Sequence, residues 1–404
     1  MLQQYVHIKV DKLVQETLAI LGDGPFYSTG FAVVLSNLAR ELSRWFRVIY
    51  FGRFMREHGF DKETEIHPTE IYEISKTQGG VWDRGLVEDI LRHYKEIDYV
   101  FSEDDYFSAK GMVDACNFME KPFHLHTPID SLPVDKAAFR EVFGRCEKVY
   151  IPNRSYMLFN GRKRPRNVSS GVIERGGKTL SSIYSPHAAH GNIFKPLNMV
   201  DRPHKFCYVW SGRDEPRKAL GRFILAFEKV YEQHPDVCAW IRTDWNVESA
   251  KFTKLYLTKK KLPVYMDQMV DCNHSELVNL YNRGDVYINT AKAGGFEMGI
   301  IEAMACEKVP IVTDHTFMNE HVIDGENGFL IPLGGRNWRE PSMVRSSYGS
   351  LWGNISIDRL AEKMAWCFLN QSEVKRMGVR ARKHVLEKYN WKRTAEKIKR
   401  EIVG

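Results

Sequence analysis
Short apolar runs alternate with stretches of helical spacing along most of the chain. Residues 17–21 form an apolar run that predicts a strand, which leads into the glycine-rich turn Gly22-Asp-Gly-Pro-Phe-Tyr-Ser-Thr-Gly30. Residues 31–45 carry helical spacing, and 47–51 predict a second strand. Further strands are predicted at 97–101 and 123–126. A basic, irregular stretch at 160–171 then breaks the pattern. The rhythm restarts with a strand over 205–210, a helix over 220–232, and strands at 238–241, 264–266, 286–288 and 311–312. Asn273 with Glu276 three residues on has the form of a capping box opening a helix that runs through Tyr281. Alternation of this kind marks parallel α/β units, and two α/β halves joined near residues 190–200 account for it most simply.

Bulk composition narrows the class only a little. A length of 404 residues suits two domains, and 43% hydrophobic with 27% charged residues is ordinary for a globular protein. No apolar run is long enough to predict a membrane span, and the N-terminus lacks the pattern of a signal peptide. Seven cysteines, an odd count with no Cys-x-x-Cys pair, argue against a disulfide frame or a zinc cluster. The cytoplasm is therefore the expected compartment. A net charge of +7 fits an anionic ligand or surface, and equally fits solubility alone.

Four stretches carry candidate chemistry. Gly294-Gly295-Phe296-Glu297-Met298-Gly299 is a glycine-rich turn directly before a helix start, where unpaired N–H groups and the positive end of the helix dipole suit an anion. Glu302 follows about one turn into that helix. It can accept hydrogen bonds from a ribose diol, whereas the flanking Ile300, Ile301, Ala303 and Met304 leave little polar face for a merely solvated acid. Arg213, Arg217 and Lys218 lie directly after a predicted strand; together they can neutralise a diphosphate, or simply face water. His124 and His126 alternate along a strand without a third metal ligand nearby in sequence, and Ser102 to Asp105 reads as a solvated loop.

In order, these segments resemble the family-4 glycosyltransferases, glycosyl transferases group 1. Residues 186–196 resemble that family's interdomain segment. Gly212-Arg213 with Arg217-Lys218 resembles its diphosphate clamp, and Gly295 through Ala305 its Glu-x7-Glu loop and helix. Asp324-Gly-Glu-Asn-Gly328 and the tail to Trp391 continue the likeness. In the first half it is looser, carried by Gly30 at the end of the glycine-rich loop and by His126. Three departures stand out. The first glutamate of the motif falls on Gly294, with Glu297 three residues on. Lys218 is followed by Ala219 where the family usually has Gly or Asn. Residues 334–352 look like an insertion carrying Trp338, Tyr348 and Trp352.

The resemblance implies an α/β fold of GT-B architecture, two Rossmann-like domains with parallel sheets facing across a cleft. The implied domains are an acceptor-side domain over 1–195, a nucleotide-sugar domain over 196–380, and a closing helix over 381–404. It implies a retaining glycosyltransferase that needs no metal and no cofactor, with a nucleoside diphosphate sugar as donor and an acceptor it leaves unidentified. Arg213, Lys218 and His126 would be the catalytic residues. Gly30, Gly295, Phe296, Glu297, Met298, Gly299 and Glu302 would bind the donor. Two other readings stand beside it: a non-catalytic sugar-nucleotide-binding protein, and a metal-dependent GT-A-type transferase using Glu103, Asp104 and Asp105. The basic stretch Arg162-Lys-Arg-Pro-Arg166 suits peripheral contact with an anionic surface, or water.

Overall fold
The apolar runs pair into two mainly parallel sheets. A computed structural model describes residues 3–7, 15–25, 29–53, 70–74, 82–129, 140–153, 170–175, 178–198, 206–245, 248–268, 274–316, 318–334, 339–341 and 351–404. Asn273, the basic stretch at 162–166, Trp338 and Tyr348 lie outside them. Backbone contacts divide the chain into two units, residues 1–187 with 344–348 and 390–404, and residues 188–343 with 349–389.

The first unit holds strands β1 (Gln3–His7), β2 (Thr17–Asp23), β3 (Arg47–Arg53), β4 (Glu70–Glu73), β5 (Ile97–Glu103), β6 (Phe123–His126), β7 (Lys148–Ile151), β8 (Ser170–Arg175) and β9 (Lys178–Tyr184). They form one sheet in the order β1-β4-β3-β2-β5-β6-β7-β9-β8. Only β1 and β8, at the two edges, run antiparallel to their neighbours. Helices α1 (Gly30–Leu42), α2 (Arg84–His93) and α3 (Lys110–Phe118) connect the central strands. Every residue of β2 is buried, as a continuous apolar run on a sheet covered on both faces requires. Ala19, Leu21, Ile49, Phe51, Val100 and Leu125 pack with Val87, Ile90 and Met112 of α2 and α3. Thr29 starts α1 where the glycine-rich turn ends. Its hydroxyl oxygen accepts from the Ala32 amide (3.1 Å) while its O–H donates to Asp23 Oδ2 (2.6 Å).

The second unit holds β10 (Phe206–Ser211), β11 (Val237–Thr243), β12 (Val264–Gln268), β13 (Val286–Asn289), β14 (Val309–Thr313) and β15 (Phe329–Ile331), all parallel, in the order β12-β11-β10-β13-β14-β15. Its helices are α4 (Leu220–Gln233), α5 (Glu248–Lys260), α6 (His274–Arg283), α7 (Met298–Ala305), α8 (Ile357–Leu369) and α9 (Gln371–Lys388). A two-stranded ribbon, β16 (Arg339–Pro341) with β17 (Leu351–Gly353), lies in the expected insertion, and Trp352 there is buried. The final helix, α10 (Trp391–Val403), is capped by Asn390 and packs on α1 of the first unit.

The six strands of the second sheet and the six parallel strands β4-β3-β2-β5-β6-β7 of the first follow the order 3-2-1-4-5-6, so the succession of strands across each sheet reverses once, between β2 and β5 and between β10 and β13. At such a reversal the loops leaving the strand ends part and open a crevice, the usual ligand position in doubly wound sheets. One expectation is corrected within the second sheet. The odd cysteine count argued against a disulfide frame, yet Cys207 and Cys238 are bonded. They are register partners on β10 and β11 with Cα atoms 4.8 Å apart, a proximity that pairing of distant strands creates.

Candidate functional site
The loops leaving β10 and β13 meet at the reversal of the second sheet. Trp210 Nε1 donates to Thr290 Oγ1 (3.1 Å), and the Thr290 hydroxyl donates to the Lys218 carbonyl (2.9 Å). The Lys292 amide donates to the Arg217 carbonyl (2.7 Å), and the Arg217 guanidinium to the Ala293 carbonyl (3.0 Å). These bonds fix the two cations beside the glycine-rich turn. Lys218 Nζ lies 2.5 and 2.6 Å from the two carboxylate oxygens of Glu297. Arg217 reaches the same carboxylate at 3.3 Å, and Asn289 Nδ2 donates to it at 3.2 Å. Burial alone would raise the Glu297 carboxyl, but Lys218 and Arg217 outweigh burial and hold it below its ordinary range.

Both helices that start here do so from a left-handed residue. Ala219 (φ 52°) precedes α4 and Glu297 (φ 56°) precedes α7, each without a side-chain cap bond. A side chain in that conformation costs on the order of 1 kcal/mol relative to glycine. The cost explains why the family usually places Gly or Asn at the position Ala219 occupies. It also gives Glu297 its reach: a Cβ added to Gly294 would lie 2.5 Å from Glu297 Oε1. The carboxylate thus stands beside the very position where the resemblance expected the motif's first acid.

Glu302, one turn into α7, is 8% exposed and accepts from the Tyr281 hydroxyl at 2.7 Å. Burial pushes its carboxyl up to about 7, with the Tyr281 bond opposing. Gly299 is pinned by close approach, since a Cβ there would meet the Tyr287 hydroxyl at 2.6 Å. Burial raises the Tyr287 hydroxyl first, and the charges of Glu297 and Glu302 raise it further, so both acids act on one buried group. Burial holds His321 down at about 3, and the ring donates from Nε2 to the Phe296 carbonyl (2.8 Å) and accepts the Tyr389 hydroxyl at Nδ1 (2.7 Å). Phe296 is buried against both rings, so its side chain is not offered to a ligand. Arg382 donates to the carbonyls of Gly191 (2.9 Å), Phe194 (2.8 Å) and Ala305, tying the segment before β10 to the end of α7.

Of the expected residues, Lys218, Gly295, Phe296, Glu297, Met298, Gly299 and Glu302 therefore gather at one end of this sheet. Arg213 lies on the same loop as Lys218 but is exposed, its side chain meeting no partner among the described residues. Gly30 and His126 belong to the other unit, Gly30 as the exposed first residue of α1. Tyr281, Asn289 and His321 were missed, because a tyrosine or asparagine on an ordinary helix or strand carries no signal until pairing shows what it touches.

At the strand ends of the first unit the sequence misled in two places. Ser102, Glu103 and Asp104 are buried, not a solvated loop. The acidic triplet does not gather as a metal site either: Asp104 pairs with Arg53 (2.7 Å), which also pairs with Asp23 (2.7 Å), while Glu103 turns to two histidines. Burial pushes Asp104 up to about 7, with Arg53 opposing and Asp23 adding. Glu103 Oε2 lies 2.9 Å from His126 Nδ1, and Oε1 lies 2.9 Å from His187 Nε2. The third group absent from sequence spacing is therefore His187, and the ligand atoms of Glu103, His126 and His187 all lie within 4.8 Å of one another. His124 is elsewhere, beside the Tyr150 hydroxyl. Burial would raise Glu103, but His126 and His187 pull it to about 2, so it is ionised. His126 Nε2 donates to the Ser185 carbonyl (2.7 Å), an acceptor only. The buried ring of His126 is thus held between the Glu103 carboxylate and the Ser185 carbonyl.

Residues 192–339 match the family model Glycosyl transferases group 1. An uncharacterised glycosyltransferase of Methanocaldococcus jannaschii is 23% identical over 197 residues, 48% of this chain and 44% of that one. The match thus spans less than half the length of this curated relative. Among solved structures, HepE of Anabaena in complex with UDP and glucose superposes with a TM-score of 0.72 at 16% identity, covering 96% of this chain and all of that one. Sucrose-phosphate synthase of Thermosynechococcus elongatus gives 0.71 at 13% identity, covering 96% and 98%. No described helix is long and apolar enough to cross a membrane. Two doubly wound parallel sheets and the likeness to these solved structures give the chain the GT-B fold, and residues 192–339, which hold the loop pair at the β10/β13 reversal, are similar to glycosyl transferases group 1.

Proposed function
We propose that the chain is a retaining glycosyltransferase that takes a sugar from a nucleoside diphosphate sugar and delivers it to an acceptor hydroxyl. One observation carries the reading. Two cations, a glycine-rich helix start and a buried acid meet at the β10/β13 reversal, inside the family match. HepE, which shares the fold, is in complex with UDP and glucose, and that supports a nucleotide ligand in this reading. In this reading Glu302 accepts from the ribose hydroxyls, and backbone N–H groups at the start of α7 face the phosphates. Lys218 and the exposed Arg213 stabilise charge that grows on the departing diphosphate. The bond from the anomeric carbon to the diphosphate breaks, a bond to the acceptor oxygen forms on the same face, and the acceptor proton leaves with the diphosphate. The side chains supply the positive charge, so the reading needs neither metal nor cofactor. His126, the remaining residue of the expected catalytic set, is held between Glu103 and the Ser185 carbonyl at the end of β6.

The test is a panel of nucleotide sugars scored first by thermal shift and then for transfer, since a bound donor raises the melting temperature by mass action. The double variant Arg213→Ala, Lys218→Ala should lose transfer while keeping its fold; near-normal turnover would refute the clamp. The close pairing of Lys218 with Glu297 favours a second reading, a nucleotide-sugar-binding protein without transfer. Donor binding by calorimetry with neither transfer nor hydrolysis would select it.

A further inference from the structure
We infer that Glu297 is a displaceable internal counter-ion, which holds Lys218 and Arg217 until a diphosphate takes its place; this rests on the nucleotide-site reading above. The side chains of Lys218 and Arg217 are only 17% and 19% exposed; Arg217 also pairs with Glu215 at 3.1 Å, whereas the carboxylate on Lys218 is Glu297, so removing that anion would leave a largely buried cation uncompensated, which is costly. Glu297 fills that role from a left-handed backbone position, beside a glycine whose missing Cβ leaves room for the carboxylate. A diphosphate on the same two cations would put negative oxygens against a buried carboxylate. Like charges at that distance exclude one another, so carboxylate and diphosphate occupy the cations in turn. Asn289 Nδ2, the third donor to Glu297, is neutral and can stay with either anion.

The exchange makes the site selective for ligands that carry enough charge to displace an acid already in place. While Glu297 is engaged the site is closed to phosphate, and apparent affinity falls by the fraction of time it stands open. Removing the carboxylate should therefore tighten anion binding, whereas a side chain that merely supports the loop would weaken it on removal. The direction of the change separates the two roles.

The experiment is calorimetric titration of the full chain with inorganic pyrophosphate and with UDP. Glu297→Gln keeps the shape and drops the charge. Glu297→Gly drops the side chain and suits the positive φ, which guards against loss of the fold. Both variants should bind pyrophosphate about tenfold more tightly than the parent, as expected if the lock is closed about nine-tenths of the time. Adding Lys218→Met to either should abolish the gain. Unchanged or weaker binding in both variants, with UDP still bound by the parent, overturns the counter-ion alone. Absence of binding of either ligand by parent and variants overturns the nucleotide site with it.

Discussion

Glu302→Gln offers a measurement in which the sign and the size both follow from burial. The carboxyl sits at about 7 in the folded chain against an ordinary 4.5, because burial disfavours its charge. A folded-state value above the unfolded one means the contribution to stability is complete at pH below 4.5. It is then lost as pH rises toward 7, because the unfolded chain releases a proton that the folded chain retains. The shift of about 2.5 units at about 1.4 kcal/mol each gives roughly 3 kcal/mol lost across that window. Glutamine cannot ionise, and its amide oxygen can still accept from Tyr281. The urea-unfolding stability of Glu302→Gln relative to the parent should therefore rise by about 2–3 kcal/mol between pH 4.5 and 7.5. Asp104, also raised to about 7, is common to both proteins and cancels in the difference. If a nucleotide's ribose hydroxyls donate to Glu302, they favour its ionised form, and UDP affinity of the parent should strengthen as pH rises through 7. Parallel stability profiles for parent and variant would refute the claim that an isolated, buried carboxyl sits there.

Three further outcomes follow from the packing. Ala219→Gly relieves a left-handed alanine and should raise stability by up to about 1 kcal/mol, seen as a higher melting temperature; a fall would mean the backbone there is not left-handed in solution. Gly294→Ala should destabilise the parent by about 1–3 kcal/mol, because the new methyl meets Glu297 Oε1, but cost little in a Glu297→Gly background; equal costs in both would show that the two side chains do not share that space. Arg53→Met leaves the buried Asp23 and Asp104 without their cation and should cost about 3–5 kcal/mol at pH 7.5, with less lost at pH 5 where Asp104 is protonated; a loss independent of pH would contradict the assigned pairing.

The sequence was most legible where one residue's neighbours in the chain are also its neighbours in space. Apolar runs bounded by turn residues located β2, β3, β5, β6 and β10 through β14, but not the three-residue β15. Lys218 and Glu302 declared themselves by following a strand end and by an acid's oddity among isoleucines. The four-residue β4 and the edge strand β8 gave no such signal, being rich in polar residues. Asp23, Arg53 and Asp104 each look like a solvated loop residue in isolation; they become a buried ion group only because three strands, numbered far apart, end at the same reversal. His187 was hidden for the same reason, lying 61 residues beyond His126 in a segment read only as a connection. Glu297 was half visible. Its position was noted, but the reach toward Gly294 depends on a positive φ that composition does not announce.

That reach bears on how relatives of this chain are searched for. A pattern that counts residues between two glutamates scores Gly294 as a loss, although an acid stands in the adjoining space. Where the residue entering a helix turns left-handed, its side chain can reach the space beside a glycine three positions earlier. Chains discarded as inactive because an acid is out of step deserve inspection of the residue entering the helix.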